Sequence, residues 1–394
     1  MLTVRVSTLI LAVLVTAGCG NSTATTSSGG TNKSAYSVTI GTDLSGPFSA
    51  SSGIPQTEGF LAYMAHLNSM GGVNGHKINV PVLDDRSDVQ TGLANYQNAL
   101  SSDSLGLLME QASAIAGPVA AKAINDHIVV SNNTEYMGGG VFPYVYDVYP
   151  SADLYARTLA TFSSSLVKSS SPKVAILHFD TPAQRSGFEP KFEAAYKASG
   201  WSIAYSQFVP IATIDFSVSA GAIASLKPDL IATNLLDSQL GQFVSAVRSR
   251  GLMAPIVNTV AIITDTTLAK INDSSVYLLQ FTASPNDSSN PSVNAIRALA
   301  KESGHTRGSD NGLYILGYVY AQVIAAAIGK CGDACTREKF NAALEQTDVD
   351  SNGLMAGRPG YTKTDHTMPK KLAVVRLDPA KGIPVPSAGF GFDK

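Results

Sequence analysis

The sequence predicts an α/β protein of two doubly wound parallel-sheet lobes, and three observations carry that expectation. Short β-branched runs alternate along most of the chain with apolar residues at helical spacing. The alternation breaks near Pro150 and starts again, and a length of 394 residues suits two domains better than one. With 44% hydrophobic and 15% charged residues, the chain has the apolar content of a folded core rather than of a disordered segment.

The opening residues read as targeting sequence. Arg5 precedes the almost wholly apolar run 6–15 and the small residues Thr16-Ala17-Gly18-Cys19. This is the order of a secretion signal, and the run is too short for a spanning helix. Ala17-Gly18-Cys19 resembles a bacterial lipobox, in which residues 1–18 are removed and the Cys19 thiol carries diacylglycerol. Thr16 stands where Leu or Val is usual, and ordinary signal cleavage with Cys19 merely nearby is the alternative. Residues 19–36 then form a tether, because 21–34 are rich in Ser, Thr and Gly and cannot bury a core.

In the first series, residues 38–41 read as a strand ending at a Gly/Pro turn. Residues 58–68 place Phe60, Tyr63, Met64 and Leu67 at helical spacing and stop at Gly71-Gly72. Ile78, Val80 and Val82 alternate as a strand does; helix 88–100, strand 105–109, helix 114–124 and strand 128–131 follow. After Pro150 come helix 153–166, strand 174–178, helix 189–198, strand 203–208, helix 218–226, strand 230–234, helix 239–250 and strands 256–260 and 276–281. Helices 313–328 and 337–344 and a strand at 372–377 close the chain. Repeated βα units make parallel sheets, whose ligands sit in the crevice at the carboxyl ends of the strands.

Charge excludes several functions. The 28 basic and 30 acidic residues give a net charge of −2 without any like-charge block. Neither a nucleic-acid footprint nor a basic lipid-binding patch is present. Enzyme signatures are also missing: no Gly-x-Ser-x-Gly elbow, no His-Glu-x-x-His, no P-loop and no Cys-x-x-Cys. Six histidines are scattered; His178 ends a strand, where a packed ring is commoner than a catalytic base. The expectation is a non-enzyme without cofactor or metal. Cys331 and Cys335 flank the turn Gly332-Asp333-Ala334. In an oxidising compartment they can pair as a small structural disulfide; otherwise they are two free thiols.

Four segments together carry a resemblance: Leu44-Ser45-Gly46-Pro47, Gly71-Gly72-Val73-Asn74-Gly75, Asp84-Asp85-Arg86-Ser87-Asp88 and Asp215-Phe216-Ser217. In this order the chain, from about Val38 to its end, resembles the leucine/isoleucine/valine-binding family of type I periplasmic binding proteins. The resemblance implies two lobes joined by three crossings, placed near Pro150, Ala283 and Gly357. Lobe one then comprises 37–151 plus 284–357, and lobe two 152–283 plus 358–394. It further implies a monomer that closes on a small molecule and docks on an ABC permease, exported and held to the cell membrane by its lipid anchor only. A ligand sensor for a signalling partner is the alternative, and a distant hydrolase a third.

The family's cleft residues lie on loops after particular strands. Carried onto this sequence they are Phe48 and Ser52; Gln111, Ala112 and Ser113, where the amides opening a helix offer a seat for a carboxylate; and Asn133, Thr134 and Tyr136. From lobe two, loop 180–187 faces the cleft; the usual aromatic cover falls at Ala183 or Gln184, and Tyr136 is its candidate substitute. Each polar loop residue serves equally well in a turn or cap. Val260 stands where amino-acid binders place an acid against the ligand ammonium, and a buried ammonium without a charge partner is costly. The expected solute is therefore a small carboxylate-type or apolar/aromatic compound. A branched-chain amino acid remains the alternative if Asp237 or Glu135 supplies a substitute carboxylate.

Overall fold

A computed structural model describes residues 33–132, 141–181, 184–259 and 263–392. The first half contains strands β1 (Tyr36–Ser37), β2 (Thr39–Thr42), β3 (Ile78–Asn79), β4 (Val82–Asp84), β5 (Gly106–Glu110), β6 (Val129–Asn132) and β7 (Val145–Asp147). Between them lie helices α1 (Ile54–Ser69), α2 (Val89–Ser101) and α3 (Ser113–Asp126). Five strands form a parallel sheet in the order β4-β2-β5-β6-β7, and β1 pairs separately with β3. Ile40, Leu107, Leu108, Val129 and Val130 are buried, as in strands covered by helices on both faces.

The second half contributes α4 (Ala152–Leu166), β8 (Lys173–Phe179), α5 (Glu189–Ala198), β9 (Ser202–Val209), α6 (Ser217–Leu226), β10 (Leu230–Asn234), α7 (Asp237–Ser249), β11 (Ile256–Asn258), α8 (Asp265–Ile271) and β12 (Val276–Gln280). After these come α9 (Pro291–Ser303), α10 (Gly312–Cys331), α11 (Arg337–Leu344), β13 (Ala373–Asp378) and β14 (Ile383–Pro386). The second sheet has seven strands in the order β14-β13-β12-β11-β10-β8-β9. It is parallel from β9 to β12 and antiparallel at β13 and β14. The fold is thus α/β with two doubly wound sheets. The strand expected over 78–82 is instead two, β3 and β4, in different pairings on either side of Pro81.

The chain passes between the sheets after β7, after β12 and between α11 and β13, and these passages are laced together. The rings of Tyr149 and Phe281 lie 5.6 Å apart. Ala283 N donates to Leu354 O and Ala356 N to Phe281 O, both at 2.8 Å, and Asp147 N donates to His366 O at 2.8 Å. Helices α9, α10 and α11 return to the first sheet, where α10 lies along α1. α10 is apolar and long enough to cross a membrane, yet most of it is buried in the body, as in the core helix of a globular protein. The α1–α10 approach is close at two glycines: a Cβ on Gly59 would stand 2.0 Å from Tyr314 O, and one on Gly317 2.0 Å from Gln56 O.

Cys331 and Cys335 are joined by a disulfide. The loop it closes receives the start of the described chain. Lys33 Nζ pairs with the Asp333 carboxylate at 2.6 Å, and the Tyr36 hydroxyl donates to Gly332 O at 2.9 Å. His76 stacks on Tyr36 with ring centroids 4.5 Å apart and bonds through Nδ1 to Ser34 O at 2.6 Å.

Three expectations follow for stability. By urea unfolding, Gly317→Ala loses about 1–3 kcal/mol through overpacking against backbone. Gly241→Ala in α7, where the new Cβ meets nothing closer than Ile271 at 3.8 Å, gains about 0.5–1 kcal/mol. Opening the disulfide with Cys331→Ser and Cys335→Ser costs about 2 kcal/mol by loop-closure entropy. In hydrogen exchange the loss shows first at residues 34–38, with the sheets still protected.

Candidate functional site

At the carboxyl ends of the first sheet, buried carboxylates set the loops. Asp43, just past β2, accepts hydrogen bonds from Gly46 N, from Phe48 N at 3.0 Å and from Ser87 Oγ at 2.7 Å. Asp84, ending β4, accepts from Leu44 N at 2.9 Å and Ser45 Oγ at 2.6 Å. Segments 44–47 and 84–88 therefore hold each other. Gly46 is required here, since a Cβ would meet the Asp43 carboxylate at 2.6 Å and Arg86 O at 2.7 Å. Asp88 caps α2 by accepting from Thr91 N at 2.8 Å.

Asp85 and Glu110 lie buried at the ends of β4 and β5. Burial, with the Asp43 and Asp84 charges adding to it, pushes Asp85 up to about 6. Burial and the nearby Asp85 carry Glu110 well above the usual carboxylate range. Glu110 also shapes the turn into α3, its Oε1 accepting from Ala112 N at 2.8 Å. The preceding Met109 has φ 68°, and the β5–β6 register shifts between Leu107 and Glu110. A left-handed non-glycine residue costs about 1–2 kcal/mol. Here that conformation turns the strand end outward, with Met109 N donating to Ser131 Oγ at 2.9 Å.

Ser52 and Gln111 are brought together, the hydroxyl donating to Gln111 Oε1 at 2.7 Å. Gln111 Nε2 donates to Gln56 Oε1 at 3.0 Å, and Gln56 Nε2 to the Tyr149 hydroxyl at 3.2 Å. Burial pushes the Tyr149 phenol up to about 12. Ala112 is the N-cap of α3 and has no side chain with which to cap it. Among the described residues neither Ser113 N nor Ala114 N has an acceptor, as is usual for the first amides of a helix. Phe48 is half-buried on the loop held by Asp43.

The second sheet meets the crevice with amides. Gln184 Oε1 accepts from Asn234 Nδ2 at 2.9 Å, and Asn234 Oδ1 is buried without a partner among the described residues. Asn258 Oδ1 accepts from Thr233 Oγ1 and Leu235 N, both at 2.8 Å, and so shapes the loop after β10. Asp237 opens α7, but its oxygens accept from Thr264 N at 2.8 Å and Thr267 Oγ1 at 2.7 Å, which ties it to the start of α8. His178 is buried between Phe192 and Phe208, each 5.4 Å away, and burial pushes its pKa down to about 4. That is a neutral packed ring. Asn133, Thr134, Glu135, Tyr136, Ala183, Val260 and the lipidation residue Cys19 lie outside the described residues.

Sequence reasoning missed Asp43, Gln56, Tyr149 and Asn234. Pro55 at the start of α1 was the available signal for Gln56, because proline favours the first helical turn and would have moved the expected helix start upstream of residue 58. The other three became visible only once strand ends were brought together. Among the described residues no group of three or more His, Cys, Asp or Glu is placed to hold a metal ion.

Comparison with known proteins follows the same lines. The family model described as periplasmic binding protein matches residues 37–382. No curated protein matches the sequence significantly. Among solved structures, a fatty acid ABC transporter substrate-binding protein from Thermomonospora curvata is 18% identical at a TM-score of 0.77, covering 92% of this chain and 93% of that one. A branched-chain amino acid ABC transporter protein from Thermus thermophilus with bound valine is 14% identical at 0.78, covering 92% and 97%. A solute-binding protein from R. palustris in complex with 4-hydroxybenzoate is 20% identical at 0.74, covering 90% and 95%. With the family match running from β1 to beyond β13, this chain belongs to the periplasmic binding protein family, in the type I form that includes the leucine/isoleucine/valine-binding proteins.

Proposed function

We propose that this protein is the lipid-anchored solute-binding component of an ABC importer, and that it closes on a small apolar or aromatic carboxylate rather than on an α-amino acid. The observation that carries the ligand class is the uncapped start of α3. Its free amides at Ser113 and Ala114, beside Ser52 and Gln111, suit a carboxylate. Several carboxylates at the strand ends are engaged, while Asp85 Oδ2 and Asp147 Oδ1 are buried without a hydrogen-bond partner among the described residues. Asp43 and Glu110 hold backbone amides, Asp180 pairs with Arg185 at 2.6 Å, and Asp237 holds Thr264 and Thr267. An ammonium would need one of them to give up its partners. Asp237 is thus a poor substitute for the acid that Val260 replaces, and an amino-acid ligand would depend on Glu135 or on a strand-end acid with an unpartnered oxygen, Asp85 or Asp147. Solved proteins of similar fold are described with 4-hydroxybenzoate, benzoate, fatty acid or valine as ligand, and a carboxylate is common to all four. The three passages, with breaks near Pro150, Ala283 and Gly357, act as the hinge between lobes 37–151 plus 284–357 and 152–283 plus 358–394.

A thermal-shift panel of benzoate, 4-hydroxybenzoate, octanoate, leucine and valine tests the class. A ligand at a hundred times its Kd adds about 2.7 kcal/mol of stability. The aromatic and fatty carboxylates are expected to raise the melting temperature and the amino acids to leave it unchanged; a shift with leucine alone would refute the reading. Ala112→Asp, which supplies an internal carboxylate to the α3 start, is expected to abolish benzoate binding in calorimetry while the variant still melts cooperatively. Unchanged benzoate affinity in that variant would remove the anion seat from α3.

A further inference from the structure

We propose that Glu110 is a positioning residue for the start of α3 that works as a neutral acid, its proton held against Asp85, and that losing this proton weakens the hold of the helix start on an anion. The inference rests on the reading of the α3 start as the carboxylate seat, and it names what regulates that seat.

The pair differs from the other acids at the strand ends by what its oxygens lack. Asp85 is 0% exposed and Glu110 2% exposed. They stand on either side of β2: Asp85 N donates to Thr42 O at 3.0 Å, and β5 pairs along the other edge of that strand. Asp85 Oδ1 accepts from Ser87 N at 2.7 Å, whereas among the described residues no amide, hydroxyl or cation donates to Asp85 Oδ2. The side chain within reach of that carboxyl is the carboxyl of Glu110. Two carboxylates can only repel at such a contact, while a carboxyl and a carboxylate make a strong charge-assisted bond. The donor that Asp85 lacks is therefore the Glu110 hydroxyl. Burial carries both acids above the usual carboxylate range, which agrees with a proton retained between them.

Glu110 reaches the helix as well. Its Oε1 accepts from Ala112 N at 2.8 Å, and its carboxyl also takes the Gln111 amide. It thus sits in the turn that leads to the Ser113 and Ala114 amides. An ionised acid there would answer the helix dipole by itself and oppose a second anion. A neutral acid orders the same turn without that charge. The charged groups around the pair do not compensate it. Asp43 after β2 and Asp84 on β4 both oppose ionisation of Asp85, and Arg86, on the loop to α2, acts on Asp84 and Asp88. α2 and β6 carry no charged residue, and those of α3, Lys122 and Asp126, lie in its second half. An anion at the α3 start makes the pair hold its proton more tightly, so binding takes up protons and weakens as pH rises through the titration of the pair.

Infrared spectroscopy of the whole protein at neutral pH reads the proton without ligand. A C=O band of protonated carboxyl is expected that loses intensity in both Glu110→Gln and Asp85→Asn; buried Asp147 adds a band common to all three proteins. Full intensity in both variants overturns the proposal. Calorimetry with sodium benzoate, in buffers of different ionisation heat, reads the link to binding. From about pH 6 to about pH 8 the parent is expected to lose about tenfold in affinity and to take up protons on binding, while Glu110→Gln keeps one affinity throughout and takes up none. Asp85→Asn, which removes the opposing charge, is expected to move the loss of affinity to lower pH, and it decides the question if Glu110→Gln does not fold. Affinity independent of pH in the parent, or a pH dependence that survives in Glu110→Gln, overturns the proposal. A parent that binds no benzoate at either pH refutes the carboxylate seat instead, and the infrared comparison then decides the shared proton by itself.

Discussion

The close approach of α1 and α10 is the constraint on which the rest of the body depends. Two glycines, Gly59 and Gly317, let carbonyls of the facing helix come where a methyl group would not fit. That contact returns a helix encoded after the second sheet to the first one. It also fixes the register of α1, and with it the neighbouring Glu58, which is buried and bridged to Arg307 at 2.7 Å. The first sheet, α1 and α10 thus form a stiff half. The passages are joined by a ring contact, backbone hydrogen bonds and the Tyr361 hydroxyl on Asp147 O.

The two sheets solve the problem of polar loops over an apolar core in different ways. The first uses acids: Asp43 and Asp84 are ringed by amide and hydroxyl donors, which repays the burial of charge. Asp85 and Glu110 lie deep and beside each other, so burial, with each charge opposing the other, pushes both above the usual carboxylate range. The second sheet uses amides and hydroxyls, Gln184, Asn234, Asn258 and Thr233, which donate and accept without a net charge. Asp237, at the start of α7, is turned toward α8.

Much of this was legible in the sequence. α5, β10 and α11 begin and end where the spacing of their residues puts them, because Pro190, Pro228 and Thr336 mark their edges. β7, with three residues, offered no period to read, and β14 carries prolines that argue against a strand away from an edge. α9 had a readable start in Asn290-Pro291, a cap followed by a first-turn proline, that went unused. Ser52 and Gln111 were found singly, as loop residues after strands. Their contact, and the bond from Gln111 to Gln56, depend on two segments converging from separate parts of the chain, which no local pattern encodes. Asp237 shows the opposite: its charge was visible, but its commitment to Thr264 and Thr267 was not.

The clamp on the first strand has a consequence for the order of assembly. Lys33 and Tyr36 leave the ribosome early, yet their partners Asp333 and Gly332 follow 300 and 296 residues later. The bonds that tie Lys33 and Tyr36 to this loop therefore close only once the chain has reached Asp333, although β1 can pair with β3 long before that.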